Sequence, residues 1–247
     1  MVDATSSRPS FEITHHAEPS DRLVAGFSSF GLAGLTAANF LVDQLELEET
    51  GHISTDALPA ITPFENGTPR HHTRLFSRSD IDLTVLVNEL FVPLWAADSF
   101  GEAILGWTDE NDVREITVLA GVPVPHGPEE HKVFYVATED YQTDRLAGGE
   151  IPAMGSGFLD GVNASLIGRG MDSSLHVGVF VTPVHATVPD VEAALRLIES
   201  IERLYDLDID TTELEEFAGQ VEQYYRDLEE RLQAAQRVET PDDRMYM

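Results

Sequence analysis

The chain has 247 residues, 42% of them hydrophobic, enough to bury a sizeable core as one large domain or one domain with an appendage. Its charge is lopsided: 44 acidic residues against 15 basic ones give −29, Lys132 is the only lysine, and there is no cysteine. That excludes disulfides, thiolate nucleophiles and cysteine-ligated metal clusters, and no Lys/Arg cluster exists that would displace counterions from nucleic acid or hold an anionic membrane.

Residues 1–12 are expected to be a flexible N-terminus with neither a basic start nor an apolar signal core. Leu23 to Phe27 is a continuous apolar run, as in a strand covered on both faces. It runs into a glycine-bearing turn, and Leu35, Ala38, Val42 and Leu45 then step at helical spacing. The turn fails three catalytic or cofactor patterns. A dinucleotide fingerprint needs glycine where Ser28 stands, and a nucleophile elbow needs it where Phe30 stands. A phosphate loop needs a Gly-Lys-Ser/Thr sequence, which Lys132 does not supply. What remains is a tight βα turn whose glycines let strand and helix approach closely, with Gly26, Ser28, Gly31 and Gly34 as a candidate anion or ligand turn at a helix N-terminus.

Arg70 to Phe76 is a further candidate strand, and Leu83 to Val87 is another continuous run. The apolar stretch Leu83 to Ala97 is broken by Asn88, Glu89 and Pro93, so it does not read as a membrane span. Ala97, Phe100, Ile104 and Trp107 predict a helix; Ile116 to Ala120 and Val133 to Ala137 predict strands. Between those strands, His126 and His131 flank Glu129 and Glu130 in a proline-bearing loop and are the candidate metal ligands, although their spacing matches no rigid helix or hairpin. Leu175 to Val181 predicts the last strand, and Val191, Ala194, Leu195, Ile198 and Ile201 a helix behind it. Strands alternating with helices predict an α/β domain over residues 13–210: a three-layer αβα architecture around a largely parallel sheet, as in phosphorylases and related hydrolases.

Residues 211–236 are different. Thr212 with Glu215 forms a capping box, and Leu214, Phe217, Val221, Tyr224, Leu228 and Leu232 keep a narrow apolar stripe. This predicts an amphipathic helix of about 24 residues, roughly 36 Å long. Residues 237–247 then form a short polar tail, broken by Pro241, that ends in Met245-Tyr246-Met247. An apolar pair on an acidic, solvated tail calls for a binding partner.

That ending resembles the hydrophobic-tyrosine-any tail with which proteasome activators and assembly chaperones dock between proteasome α-subunits. The segment Gly26-Phe27-Ser28-Ser29-Phe30-Gly31-Leu32-Ala33-Gly34, continuing to Gln44-Leu45, resembles the opening motif of the proteasome-assembly-chaperone family. Ser28-Ser29 stands where that family more usually has Pro-Gly. Val113 to Ile116 with Leu119-Ala120-Gly121, then Gly155 to Gly161 with Leu166, then Val188-Pro189-Asp190 with Ala193-Ala194 and Leu207 to Asp210, resemble further family segments in the family's order. The resemblance implies an ATP-independent factor that binds 20S α-subunits, without catalytic residues or cofactor, as a homo-oligomer or with a paralogue. Its Met245, Tyr246 and Met247 would make the contact. Two other readings compete. One is a small-molecule enzyme using the cleft at the strand carboxyl ends; the other is a structural homo-oligomer whose tail docks on its own neighbour. The acidic, lysine-poor composition looks like that of a cytoplasmic protein of a salt-accumulating organism, because molar salt shortens the screening length to about 3 Å and removes the self-repulsion.

Overall fold

Continuous apolar runs become the centre of a mixed sheet. The computed structural model describes residues 10–125, 127–185 and 189–220. Residues 212–220 are the described part of the expected C-terminal helix. The rest of that helix, the tail with Met245, Tyr246 and Met247, and His126 lie outside the described residues. Contacts divide the chain into two units, Met1–Ile209 and Asp210–Met247.

In the first unit the strands are β1 (Phe11–His15), β2 (Arg22–Phe27), β3 (Glu48–Thr55), β4 (Phe64–Glu65), β5 (Thr68–Pro69), β6 (Thr73–Arg78), β7 (Ile81–Asn88), β8 (Glu115–Val122), β9 (Phe134–Ala137) and β10 (His176–Pro183). The helices are α1 (Ala33–Gln44), α2 (Leu94–Glu110), α3 (Glu139–Arg145), α4 (Gly161–Gly170) and α5 (Val191–Tyr205). Eight strands form one sheet in the order β1-β3-β6-β7-β2-β8-β10-β9.

The expectation of a largely parallel sheet needs correction. The centre, β7-β2-β8-β10, is parallel. The flank β1-β3-β6-β7 and the edge pair β10-β9 are antiparallel. Continuous runs mark only strands covered on both faces, and those are the parallel ones. Strands β1 and β3 alternate instead, with Ile13 and Ile53 paired among Glu, Thr and His, so they carry a half-buried signature. Phe11 and Glu12, expected within a flexible N-terminus, begin β1. Strand β9 is half-buried throughout, a short edge strand rather than a covered one. The small β4-β5 hairpin turns on Asn66-Gly67, both with positive φ (49° and 80°), as a two-residue turn of this type requires.

Alternation along the central strands sorts the helices onto two faces. Leu23, Ala25 and Phe27 of β2, Ile116 and Val118 of β8, and Val177 and Val179 of β10 share a cluster with Phe100, Ile104 and Trp107 of α2 and Leu166 of α4. Each fully buried large side chain there contributes about 1.5–3 kcal/mol. On the opposite face α1 lies against β2, β7 and β8 and beside α5, while Tyr141 of α3 meets Phe180 of β10 edge-on at 6.4 Å.

The amino end of β8 carries a buried polar cluster. Arg145 Nε donates to Glu115 Oε2, Tyr205 OH donates to Glu115 Oε1 at 2.6 Å, and the Thr117 hydroxyl bonds both Tyr141 and Tyr205. Burial raises both phenols above their ordinary values, so they stay protonated donors. In the second unit the helix at 212–220 begins one residue earlier than the expected capping box requires. Asp210 accepts the Thr212 N–H, and the Thr211 hydroxyl donates to Glu215. Thr211, not Thr212, therefore occupies the cap.

Candidate protein-docking surface

The four parallel strands end on one rim, at Asn88, Phe27, Val122 and Pro183. The glycines of the β2–α1 turn are consumed by packing at that rim. Gly26 faces the Gly34 carbonyl and Ala38, and Gly34 faces the Leu119 carbonyl of β8, each too closely to admit a Cβ. Gly31 has φ 64° and lies against Val184, and Leu32 follows with φ 51°, a left-handed conformation that costs about 1 kcal/mol for a residue with a side chain. The strain is held by neighbours: the Asp190 N–H donates to the Gly31 carbonyl at 2.8 Å, and the Leu32 N–H to the Ser29 carbonyl. Ser28 donates its N–H to the Asn88 carbonyl of β7 at 2.9 Å. The structure thus brings Gly26, Ser28, Gly31 and Gly34 together as a close-packed crossing of strand and helix.

The loops above this rim carry large apolar side chains in solvent. Phe30 follows β2, Phe91 (69% exposed) follows β7, and Leu94 and Trp95 (62% exposed) open α2. Phe158, fully exposed, precedes α4, whose first residue Gly161 sits beside Leu94. Val124 follows β8 and is exposed as well. The sequence showed Leu83 to Ala97 as an apolar stretch broken by Asn88, Glu89 and Pro93, but not that Phe91, Leu94 and Trp95 in its second half stand in solvent. The available signal was Pro93 beside Phe91 and Trp95: a proline-broken segment just past a strand end cannot stay in the sheet. Such an apolar rim is suited to another protein surface, with aromatic anchors above a rigid support.

Across the rim His185 and Asp190 form a tight pair. Asp190 Oδ2 accepts from the backbone N–H of His185 at 2.8 Å and lies 2.9 Å from its Nδ1, while Oδ1 accepts the Ala193 N–H and caps α5. Burial opposes ionisation of Asp190. The amide donors, the His185 ring and Arg196 outweigh it and hold the carboxyl below its ordinary value. His131 sits edge-on to His185 at 6.0 Å. No group of three or more His, Asp or Glu able to hold a metal occurs among the described residues. His176 begins β10 between Asp140 and Asp144. No helix among the described residues is long and apolar enough to cross a membrane.

Comparison with known proteins places this arrangement in context. The model of the PAC2 family matches residues 23–229. An uncharacterised protein of Methanocaldococcus jannaschii is 20% identical over 208 residues, covering 84% of this chain and 85% of its own. Among solved structures, Pyrococcus furiosus PbaA, described as an archaeal homologue of proteasome-assembly chaperone, superposes with a TM-score of 0.80 at 19% identity, over 92% of this chain and 95% of its own. PbaB of the same organism, described as an archaeal proteasome activator, gives 0.76 at 21% identity, over 89% and 99%. Both share the fold.

Proposed function

The chain belongs to the PAC2 family, and on that premise we propose that it is an ATP-independent proteasome assembly chaperone or proteasome-binding factor. The observation that carries the reading is the family match over residues 23–229, joined to relatives of the same fold that are described as a chaperone homologue and an activator. The exposed aromatics at the strand carboxyl ends support it, because that rim offers contact area where an enzyme of this architecture would keep a lined cleft. Helices on both faces of the sheet support the three-layer αβα reading. The glycine turn serves packing in this view, not anion capture.

In the mechanism proposed, the tail makes the specific contact. Met245 buries its side chain between two 20S α-subunits, Tyr246 stacks and donates a hydrogen bond in the same cleft, and the Met247 carboxylate pairs with a lysine there. Residues 237–244 supply reach. One such tail binds weakly, so a homo-oligomer or a complex with a paralogue would gain affinity by presenting several at once. The protein acts in the cytoplasm, and its acidic surface is matched to high salt.

The test is binding of the full chain, a variant ending at Arg244, and a variant with glycine appended after Met247 to host 20S α-subunits in molar potassium chloride. Binding by the full chain alone is expected. Equal binding by all three would remove the tail from the mechanism, and absence of binding by the full chain would overturn the function.

A further inference from the structure

A second feature of the molecule lies away from the aromatic rim. A cavity of about 430 Å³ opens between α5, the loop 148–152 and the segment leading into β9. The chain carries 44 acidic and 15 basic residues, yet this wall carries four cations, Lys132, Arg145, Arg196 and Arg203, against two carboxylates, Glu150 and Glu199. The acidic surface does not produce such a wall by default. A cavity of about 530 Å³ on the α2–α4 side sets Arg114 and Arg169 among Glu102, Asp109, Asp112 and Asp172.

Two of the four cations are already committed. Arg145 is held by Glu115, and Arg203 pairs with Glu199 at 3.2 Å. The other two meet no carboxylate at ion-pair distance among the described residues. Arg196 donates from Nε to Thr182 Oγ1 and from Nη2 to the Pro183 carbonyl, both at 3.0 Å and both neutral acceptors. It is half-buried, and burial lowers its pKa despite Asp190, Glu192 and Glu199 nearby. The Lys132 ammonium lies over the Phe134 ring, 5.4 Å from its centroid, a cation–π contact that leaves its charge without a carboxylate partner among the described residues. The turn at Gly148-Gly149 leaves open space where side chains would stand. A half-buried guanidinium whose direct acceptors are two neutral oxygens is only partly compensated by the more distant Asp190, Glu192 and Glu199, and an anion in the cavity would complete the compensation.

We propose that this cavity binds a small phosphate-bearing molecule, with Arg196 and Lys132 as the counter-charges. Against the two cations without an ion-pair partner the wall sets one carboxylate in the same condition among the described residues, Glu150, so a phosphate monoester, at about −1.5 to −2 near neutral pH, meets a net positive site. A guanidinium presents paired donors to phosphate oxygens, and lysine adds a point charge that can follow the ligand. The cavity volume falls within the range of small-molecule sites. The site is separate from the proteasome-docking reading and stands or falls independently of it.

The experiment is calorimetric titration of the full chain in potassium chloride with inorganic pyrophosphate, using malonate as the carboxylate comparison. Lys132→Met and Arg196→Met remove the two cations; Lys132 is exposed, so its variant should fold unchanged. Arg169→Gln alters the other cavity and serves as control. Pyrophosphate should bind with a dissociation constant below about 1 mM, weakened at least about tenfold by either Met variant and unchanged by Arg169→Gln. Absence of pyrophosphate binding, equal or tighter binding of malonate, or binding untouched by Lys132→Met would each overturn the proposal.

Discussion

Gly121→Ala is the sharpest test of how the rim is built. A Cβ at this position in β8 would lie 2.6 Å from the Phe30 carbonyl oxygen and 2.6 Å from Val184 Cγ1. Ordinary contact begins near 3.4 Å, so each neighbour has to retreat by about 0.8 Å. The valine can adjust in part; the carbonyl belongs to a turn already holding Gly31 and Leu32 in left-handed conformations and cannot rotate away. Overpacking of this kind costs about 1–3 kcal/mol, and the backbone obstacle puts Gly121 at the upper end. For a domain of this size a loss of about 2–3 kcal/mol lowers the melting temperature by roughly 4–12 °C. Scanning calorimetry in molar salt measures it, with Gly168→Ala as the internal comparison. Gly168 lies in α4 with open space at its Cβ position, so the same change there should stabilise by about 0.5–1 kcal/mol. If Gly121→Ala melts within a degree of the parent, the rim is not packed as described.

Three further outcomes are expected. Asp190→Ala should cost about 1–2 kcal/mol at neutral pH by uncapping α5. Because the folded carboxyl sits below its ordinary value of 3.8, that stability is fully present above 3.8 and is lost as pH falls through the folded value; parent and variant should converge in acid, and a gap that persists there refutes the linkage. Glu115→Gln leaves Arg145 facing a neutral partner in a largely buried cluster and should cost about 2–4 kcal/mol by urea denaturation, whereas a cost under about 0.5 kcal/mol would mean the pair is idle. Transfer from molar to millimolar potassium chloride should erode the far-ultraviolet circular dichroism, because 29 net negative charges lose their screening; an unchanged spectrum would sink the salt-adapted reading.

The sequence made the parallel centre legible because Leu23 to Phe27, Leu83 to Val87, Ile116 to Ala120 and Leu175 to Val181 are largely buried on both faces, where apolar residues predominate and the few polar ones, such as Thr84 and Thr117, are hydrogen-bonded. The antiparallel flank was hidden by its own success at facing water: Glu12, Thr14, Glu48 and His52 look like loop until Ile13 and Ile53 are seen opposite each other. Helix α4 was obscured by Gly161, Gly168 and Gly170, which depress helix propensity in a segment that tertiary packing nevertheless holds. The aromatic rim was not singled out, because an apolar residue type does not say which side of a turn it leaves on. The cationic cavity was beyond reach, since Lys132, Arg145, Arg196 and Arg203 meet only after β9, α3 and α5 have been assembled.

The order of the central strands has a consequence for biosynthesis. Strand β2 leaves the ribosome well before its partners β7 and β8, and β10, which covers β8, ends only at Pro183. At 5–20 residues per second, the stretch of about 150 residues separating Phe27 from Pro183 takes roughly 8–30 s to emerge. Throughout that interval Leu23 to Phe27 waits without a complete sheet. A nascent chain stalled before Leu175 would present Ile116 to Ala120 as an open apolar edge, inviting pairing with another nascent chain on the same message. Codon usage or a ribosome-bound holdase acting between α2 and β10 would therefore bear on the yield of this protein.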